Sequence, residues 1–174
     1  FITFITRIET EARTTIDEYD NSVRYNDYLL STLIARIERE HTPAALIYFS
    51  DHGEEVNEFR PFNGHAYEKV TSYMCEVPFL VWLSPDFRRM RPDLRFDLTR
   101  PYSTVDLPYT MANLAALRFQ GYDDTRSLLS PHFRPRPRRV GELPYETVLD
   151  MTRKAKERQR APSFFGSLTR RFAE

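Results

Sequence analysis

The polar run Asp51-His52-Gly53-Glu54 has the residue types and the spacing of a metal site. A carboxylate oxygen next to an imidazole nitrogen is a mixed donor set that suits zinc and also manganese. Adjacent side chains of an extended backbone point in opposite directions, so Asp51 and His52 reach one ion only at a sharp turn, which Gly53 permits. The run therefore predicts Asp51 and His52 as metal ligands. The alternative is that Asp51 caps a turn and His52 packs at the surface.

Other side chains close to this run could contribute to a metal site or to its chemistry. His65 follows His52 by 13 residues, which is far enough for the intervening loop to fold back over the same place. Glu54 and Glu55 are either groups that orient an imidazole or solvated acids, and we interpret Glu55 as solvated. The chain has one cysteine, Cys75, which excludes an intramolecular disulfide. Any metal site must therefore depend on carboxylate and imidazole ligands.

A long helix and two strands are predicted around the polar run. Apolar residues spaced three, four and seven apart between Ile16 and Ile37 predict a helix over residues 10–40. The continuous apolar runs 44–49 and 77–83 predict strands buried on both faces, as in a parallel sheet. The polar run then lies at the carboxyl end of the first strand, where α/β proteins keep their sites.

The rest of the chain continues this pattern. Short helices are predicted directly after the second strand and from Ser103, the latter ending near Gly121. An extended segment rich in Pro and Arg follows, with one short strand at 139–141, and the last 25 residues are a weak, basic helix candidate. The order of elements predicts an α/β fold with right-handed crossovers. We divide the chain into a domain of residues 1–145 and a basic tail of residues 146–174.

Charge is distributed unevenly along the 174 residues. Residues 1–130 carry 14 Lys and Arg against 20 Asp and Glu, whereas residues 131–174 carry 11 against 5. The basic tail is interpreted as a solvated helix, with contact to anionic lipid headgroups as the alternative. We expect a monomer with no nucleic-acid partner. The chain starts at Phe1 rather than Met, and we expect it to be a piece of a longer protein.

The polar run is one of several stretches whose order is characteristic. Along the chain these stretches are residues 19–27, 48–55, 63–65, 77–84, 106–111 and 124–135. In this order they resemble the C-terminal half of the phosphoethanolamine transferases that modify bacterial lipopolysaccharide. That family is part of the alkaline phosphatase and sulfatase superfamily. The resemblance covers about residues 10–141, which is most of the chain.

The resemblance implies an α/β/α sandwich of the alkaline phosphatase and sulfatase type, with an incomplete sheet in this chain. It implies that Asp51 and His52 hold Zn²⁺, with Mn²⁺ as the alternative ion, together with an acidic residue and a threonine hydroxyl from earlier in the domain. In the family, that threonine attacks the phosphorus of phosphatidylethanolamine and holds phosphoethanolamine covalently until a core sugar or lipid A hydroxyl accepts it. By position, His65 is a histidine that faces the transferred phosphate.

The family's nucleophilic threonine, first acidic ligand and membrane helices precede the segment that this chain resembles. We therefore expect no catalytic nucleophile here, no transfer by this chain alone, and weak zinc binding. The parent protein is expected in the bacterial inner membrane with this domain in the periplasm, using a phospholipid donor and a lipopolysaccharide acceptor. The Glu-Glu pair after Gly53 and the lack of paired cysteines resemble the branch that modifies the core oligosaccharide.

Two alternative functions stay open at this point. One is a sulfatase or phosphoglycerol transferase of the same superfamily, whose nucleophile would again lie in sequence that precedes this chain. The other is a degenerate relative that has lost catalysis and acts as a binding domain. The presence of Asp51, His52 and His65 together argues against the degenerate relative.

Overall fold

Five α-helices and six short strands make up the described part of the chain, which is residues 2–58 and 60–160 of a computed structural model. The helices are α1 Ile2–Arg39, α2 Ser72–Cys75, α3 Pro85–Met90, α4 Leu107–Leu114 and α5 Tyr145–Arg160. The strands are β1 Ala45–Phe49, β2 Glu55–Val56, β3 Asn63–Gly64, β4 Phe79–Leu83, β5 Arg139–Val140 and β6 Leu143–Pro144. Two 3-10 turns occupy Thr104–Asp106 and Asp124–Arg126. None of these helices combines the length and the apolar character that a membrane crossing requires.

The long helix predicted over residues 10–40 is confirmed, and α1 begins before it. Partly buried apolar side chains recur along α1 at helical spacing, at Ile16, Leu30, Ile34 and Ile37. α1 packs against β2. The helix is followed by His41, whose φ of 49° lies in the left-handed region, and then by Pro43, which cannot continue a helix.

The two predicted strands exist, but they pair in the opposite sense to the one expected. β1 and β4 are antiparallel, with Ala45 opposite Leu83 and Phe49 opposite Phe79. A right-handed crossover needs a segment that carries the chain back to the start of the first strand. The described residues between 50 and 78 contain only β2, β3 and the single-turn helix α2, so the chain re-enters the sheet at the end where it left. The expected parallel pairing of these strands is therefore wrong.

The same strands are half-buried rather than enclosed on both faces. Phe49 and Leu80 are each 40% exposed, and the central residues of β1 are of intermediate burial. The continuous apolar runs therefore predicted the positions of the strands correctly. They also predicted burial on both faces, which is more than the described residues provide.

Ser84 joins the start of β1 to the end of β4 and to α3. Its hydroxyl accepts hydrogen bonds from the backbone N–H of Ala44 at 2.9 Å and of Phe87 at 3.2 Å, and it donates to the carbonyl of Thr42 at 3.1 Å. Ser84 is therefore the N-cap of α3, whose first residue is Pro85. The core lies beside this junction and consists of Leu83, Leu94, Leu114 and Leu129.

The helix predicted from Ser103 to near Gly121 ends earlier, at Leu114. Ala116 adopts a φ of 55°, its N–H bonds to the carbonyl of Asn113, and the N–H of Leu117 bonds to the carbonyl of Ala112. These two bonds form a Schellman motif, the standard C-terminal cap of a helix. Apolar periodicity continued past this cap, so it could not locate the end of the helix.

α5 forms the first part of the segment predicted as a basic tail. Val148 is 1% exposed, and the Thr152 hydroxyl accepts the N–H of Ser72 at 2.9 Å and donates to the carbonyl of Val148 at 2.9 Å. α5 therefore packs against α2, and the interpretation of a fully solvated helix is wrong for these residues. The domain boundary after residue 145 stays a prediction. The remainder of the tail, residues 161–174, lies outside the described residues.

The left-handed conformation of Ala116 in the C-terminal cap of α4 can be tested by substitution. Ala116→Gly should raise the free energy of unfolding by about 0.5–1 kcal/mol, because glycine adopts a positive φ without a Cβ clash. Chemical denaturation followed by the fluorescence of the single tryptophan, Trp82, would measure the change. The control is Ala115→Gly, where φ is −79° and the substitution should lower stability instead. Destabilisation by both substitutions would contradict the left-handed cap.

Candidate metal centre

The polar run singled out in the sequence forms a hydrogen-bonded turn directly after β1. The Ser50 hydroxyl donates to the carbonyl of His52 at 2.7 Å, and the Asp51 carboxylate accepts the N–H of His52 at 3.1 Å. These local bonds turn the backbone away from the direction of β1. The turn therefore presents the polar run at the carboxyl end of β1, as predicted from the sequence.

Gly53 is required for close packing rather than for a special φ. Its backbone is not in the left-handed region. A Cβ at this position would lie 2.1 Å from the carbonyl oxygen of Tyr73 and 2.6 Å from that of Glu76. The Gly53 N–H also donates to the carbonyl of Met74 at 3.0 Å. Residues 50–54, which we call the metal loop, are thus held against the backbone of α2. Close packing, and not conformational freedom at a turn, is what requires this glycine.

His65 is brought back to His52 by a short antiparallel ladder. β2 and β3 pair with Glu55 opposite Gly64, and the loop between them is closed by a bond from the N–H of Asn57 to the carbonyl of Phe62 at 3.0 Å. The centroids of the His52 and His65 rings are 3.6 Å apart. The expected return of the loop over the polar run is therefore what the structure shows.

His52, Glu54 and His65 form a group that could hold a metal ion. One potential ligand atom from each lies within 4.8 Å of the others. The Nδ1 of His52 is 3.0 Å from the carbonyl oxygen of Gly53, and because a carbonyl can only accept, this contact is a hydrogen bond in the tautomer with the proton on Nδ1. This bond leaves the lone pair of Nε2 available to an ion. The His52 imidazole and the Glu54 carboxylate are donors that fit zinc, and the His65 imidazole lies beside them.

Asp51 lies at the edge of this group. Its side chain is 87% exposed, and one carboxylate oxygen is 3.8 Å from Nε2 of His52. Two ligand atoms about 2.0–2.1 Å from one tetrahedral zinc lie roughly 3.4 Å apart. A small rotation of the Asp51 side chain would bring its carboxylate oxygen to that distance from Nε2 of His52. The roles of Asp51 and His52 as ligands, and of His65 as a phosphate-facing group, stay predictions.

Glu54 was not predicted as a ligand candidate. His52 and Glu54 are two positions apart, and on extended chain such residues share one side. That spacing was the signal in the sequence from which Glu54 could have been predicted as a ligand. Because Asp51 and His52 are adjacent, they are the pair that an extended chain separates.

Glu55 is buried rather than solvated, which corrects the sequence interpretation. The residue is 0% exposed, and its carboxylate accepts two bonds from the Arg60 guanidinium, at 2.6 and 3.0 Å. The Thr71 hydroxyl donates a third bond at 3.0 Å. This buried bidentate pair joins β2 to the loop before β3 and to the residue before α2. Glu55 therefore stabilises the ladder that positions His65.

The metal loop separates two clefts. The helix-side cleft, of about 600 Å³, is lined by α1 and by His52 and Glu54, among other residues. Burial in this region, followed by the charge of Glu54, raises the pKa of Tyr19 on α1. The arginine cleft, of about 510 Å³, lies on the side of Asp51 and includes Phe79, Arg100, Tyr102, Arg138 and Arg139. The two candidate ligands that are adjacent in sequence thus line different clefts.

Residues 2–117 match the sulfatase family, and the chain belongs to that family. Within it, the chain is similar to the phosphoethanolamine transferase EptC of Escherichia coli K12, with 36% identity over 142 residues, or 80% of this chain and 24% of that protein. It is 41% identical to phosphoethanolamine transferase CptA of Salmonella typhimurium over 104 residues, or 58% of this chain and 18% of that protein. The chain thus spans about a quarter of the length of the first of these relatives.

A solved structure of the C-terminal periplasmic domain of Escherichia coli EptC, in complex with Zn, has the same fold. The likeness has a TM-score of 0.66 at 32% sequence identity and covers 76% of this chain and 40% of that chain. These findings confirm the resemblance to phosphoethanolamine transferases and the α/β, sulfatase-like fold class. They also show that a homologous domain binds zinc.

The close approach at Gly53 predicts a specific defect. Gly53→Ala should lower the free energy of unfolding by about 1–3 kcal/mol, because the Cβ forces α2 away from the loop. Zinc affinity, measured by competition with a chelating indicator, should fall by about tenfold as His52 moves.

The control is Gly121→Ala, where φ is 81° and no atom lies within 4 Å of the added Cβ. It should strain the backbone and leave zinc affinity unchanged. Equal zinc affinities for wild type and Gly53→Ala would contradict the role of the close approach.

The buried pair predicts a second effect. Glu55→Gln removes the negative charge opposite Arg60 and should lower the free energy of unfolding by about 3 kcal/mol. Denaturant titration measures this change. Glu40→Gln is the matched control, because Glu40 is exposed, directly follows α1 and pairs with Arg36 at 3.2 Å. Its effect should stay below about 0.5 kcal/mol, and an equally small effect for Glu55→Gln would refute the stabilising role of the buried pair.

Proposed function

We propose that this chain is the C-terminal part of the catalytic domain of a zinc-dependent phosphoethanolamine transferase. The observation that carries the proposal is the convergence of His52, Glu54 and His65 at the end of β1, in a sulfatase-family domain related to named phosphoethanolamine transferases. The proposed reaction moves phosphoethanolamine from phosphatidylethanolamine to lipopolysaccharide. The periplasm is its proposed location, supported by the likeness to periplasmic domains.

His52 and Asp51 are the proposed zinc ligands of this chain, with Glu54 as a further candidate. The bond from Nδ1 of His52 to the Gly53 carbonyl holds the imidazole in the tautomer that a ligand needs. When bound, zinc supplies a Lewis acid that polarises a phosphoryl oxygen and lowers the pKa of a hydroxyl nucleophile. His65, whose ring lies 3.6 Å from that of His52, would donate a proton or a hydrogen bond to the transferred phosphate.

The remaining catalytic groups are proposed to come from outside this chain. A threonine nucleophile would take phosphoethanolamine covalently, and an acidic residue would complete the zinc ligands. The acceptor is proposed to be a hydroxyl of the core oligosaccharide or of lipid A. No residue of this chain is assigned as a nucleophile, and this chain by itself is expected to transfer nothing.

His52→Ala in the full-length protein tests this proposal. With phosphatidylethanolamine and lipopolysaccharide as substrates, the transfer rate should fall at least about 100-fold, because a first ligand of the metal is lost. Mass spectrometry of the acceptor measures the added phosphoethanolamine.

His132→Ala is the control, since this histidine is exposed and pairs at 2.7 Å with Asp124 of the second 3-10 turn. It should keep the wild-type rate. Undiminished transfer by His52→Ala would show that the zinc assignment is wrong, and absence of transfer by the wild type would show that the proposed reaction is wrong.

A further inference from the structure

Helix α5 packs against α2, and α2 provides the backbone on which the metal loop rests. The Gly53 N–H donates to the carbonyl of Met74 at 3.0 Å, and the carbonyl oxygens of Tyr73 and Glu76 lie 2.1 and 2.6 Å from the place of an added Gly53 Cβ. The residues on either side of this glycine are two of the three candidate ligands. A shift of α2 would therefore move the peptides beside these ligands.

The single turn of α2 has no side-chain cap of its own. It spans Ser72–Cys75, and its N-cap residue, Thr71, makes no capping hydrogen bond. The Thr71 hydroxyl donates instead to the Glu55 carboxylate at 3.0 Å. A helix of one turn is not stable by itself, because its nucleation costs more than its few backbone bonds return. The position of α2 is therefore determined by the elements that pack against it.

Thr152 of α5 supplies the acceptor that a cap would have provided. Its hydroxyl accepts the N–H of Ser72, the first residue of α2, at 2.9 Å and donates to the carbonyl of Val148 at 2.9 Å. Thr152 is 6% exposed and Ser72 is 7% exposed. Because both residues are buried, loss of the hydroxyl would leave a buried backbone N–H without this acceptor.

Two further bonds connect α5 to α2 and to its C-cap. The Nζ of Lys156 donates to the hydroxyl of Tyr73 at 2.5 Å. The hydroxyl of Tyr145 donates to the carboxylate of Glu76. Burial, followed by this bond, raises the pKa of Tyr145 to about 12, so the phenol keeps its proton at neutral pH. α5 thus bonds to the first residue of α2, to its second residue and to its C-cap.

The bonds between α5 and α2 join parts of the chain that are distant in sequence. Their partners are 80, 83 and 69 positions apart. A contact that helps to hold the ligands of an ion is itself stabilised when the ion binds, because coupling between two sites is reciprocal. Zinc binding and the packing of α5 are therefore expected to support each other.

We propose that α5 is a positioning element of the metal centre, in which Thr152 raises the zinc affinity of His52 and Glu54 by fixing α2 against the metal loop. Thr152 acts through α2 and is assigned no contact with the ion or with a substrate. This inference rests on the proposed function, since it requires zinc at the metal loop.

The first test uses the full-length protein with zinc alone as the probe, and affinity is measured by competition with a chelating indicator. Thr152→Val keeps the shape of the side chain and removes the acceptor for Ser72, so zinc affinity should fall by about fivefold. Thr152→Ser keeps the hydroxyl and should retain the wild-type affinity. Equal affinities for wild type and Thr152→Val would overturn the inference, and so would equal losses in Thr152→Ser and Thr152→Val.

Co²⁺ in place of zinc separates a positioning role from a general loss of stability. The visible absorption of bound Co²⁺ depends on the arrangement of its ligands, which outer groups orient. The absorption should change in Thr152→Val and keep its wild-type form in Thr152→Ser. An unchanged spectrum in Thr152→Val would show that Thr152 contributes to stability alone.

Thr110→Val is the matched control for both measurements. Thr110 of α4 is 0% exposed, and its hydroxyl accepts the N–H of Leu128 at 2.9 Å, so the same chemical change is made at a second buried site. This variant should have a lower thermal stability with unchanged zinc affinity and an unchanged Co²⁺ spectrum. A similar loss of zinc affinity in both valine variants would mean that affinity follows overall stability, which would contradict the inference.

The route through Gly53 is tested by combining two substitutions. Gly53→Ala already forces the metal loop and α2 apart, so adding Thr152→Val should weaken zinc binding by less than about twofold. A further loss of about fivefold would show that the two positions act independently, against the inference.

Hydrogen exchange of the wild-type protein gives a measurement that needs no variant. Zinc should slow amide exchange in α5 relative to the zinc-free protein. Equal exchange of α5 with and without zinc would overturn the inference. Failure of the proposed function is seen separately, as a wild-type protein that binds zinc through His52 and transfers no phosphoethanolamine. The comparison of zinc affinities would then still decide the role of Thr152.

Discussion

The contact between Gly53 and the backbone of α2 is the constraint on which the candidate site depends. The carbonyl oxygens of Tyr73 in α2 and of Glu76, its C-cap, lie too close to the position of an added Cβ, and the carbonyl of Met74 accepts the Gly53 N–H. The peptide between His52 and Glu54 is therefore placed by backbone atoms, which cannot change rotamer. α2 is held in turn by Thr152 of α5, so a segment far along the chain contributes to the position of the metal loop.

Several features followed from patterns in the sequence. Apolar periodicity located α1, continuous apolar runs located β1 and β4, and the polar run lies after β1 as predicted. The return of His65 to His52 was also foreseen from the length of the loop. These features depend on local sequence, and local sequence reports them directly.

Other features depend on partners that a local pattern does not contain. The direction of β4 follows from the connection through residues 50–78, not from the composition of the strand. Glu55 looks like a solvated acid until Arg60 and Thr71 are known to meet it. Gly53 was attributed to a turn because the neighbouring α2 could not be seen in the sequence. In each case the deciding contact lies between residues that the sequence does not place together.

The position of the metal loop between two clefts gives the site two approaches. His52 and Glu54 line the helix-side cleft, and Asp51 lines the arginine cleft. The proposed transfer, from a lipid donor to a glycan acceptor, would bring two chemically different molecules to one centre. A turn that directs two adjacent candidate ligands towards different clefts is compatible with this requirement.

Zinc anomalous diffraction from crystals of the full-length protein tests the central claim most directly. The account predicts one strong peak in contact with Nε2 of His52 and with at least one carboxylate of Asp51 or Glu54, and no such peak in His52→Ala crystals. A stoichiometric zinc ion located elsewhere, with the His52 imidazole making no contact to it, would contradict the account.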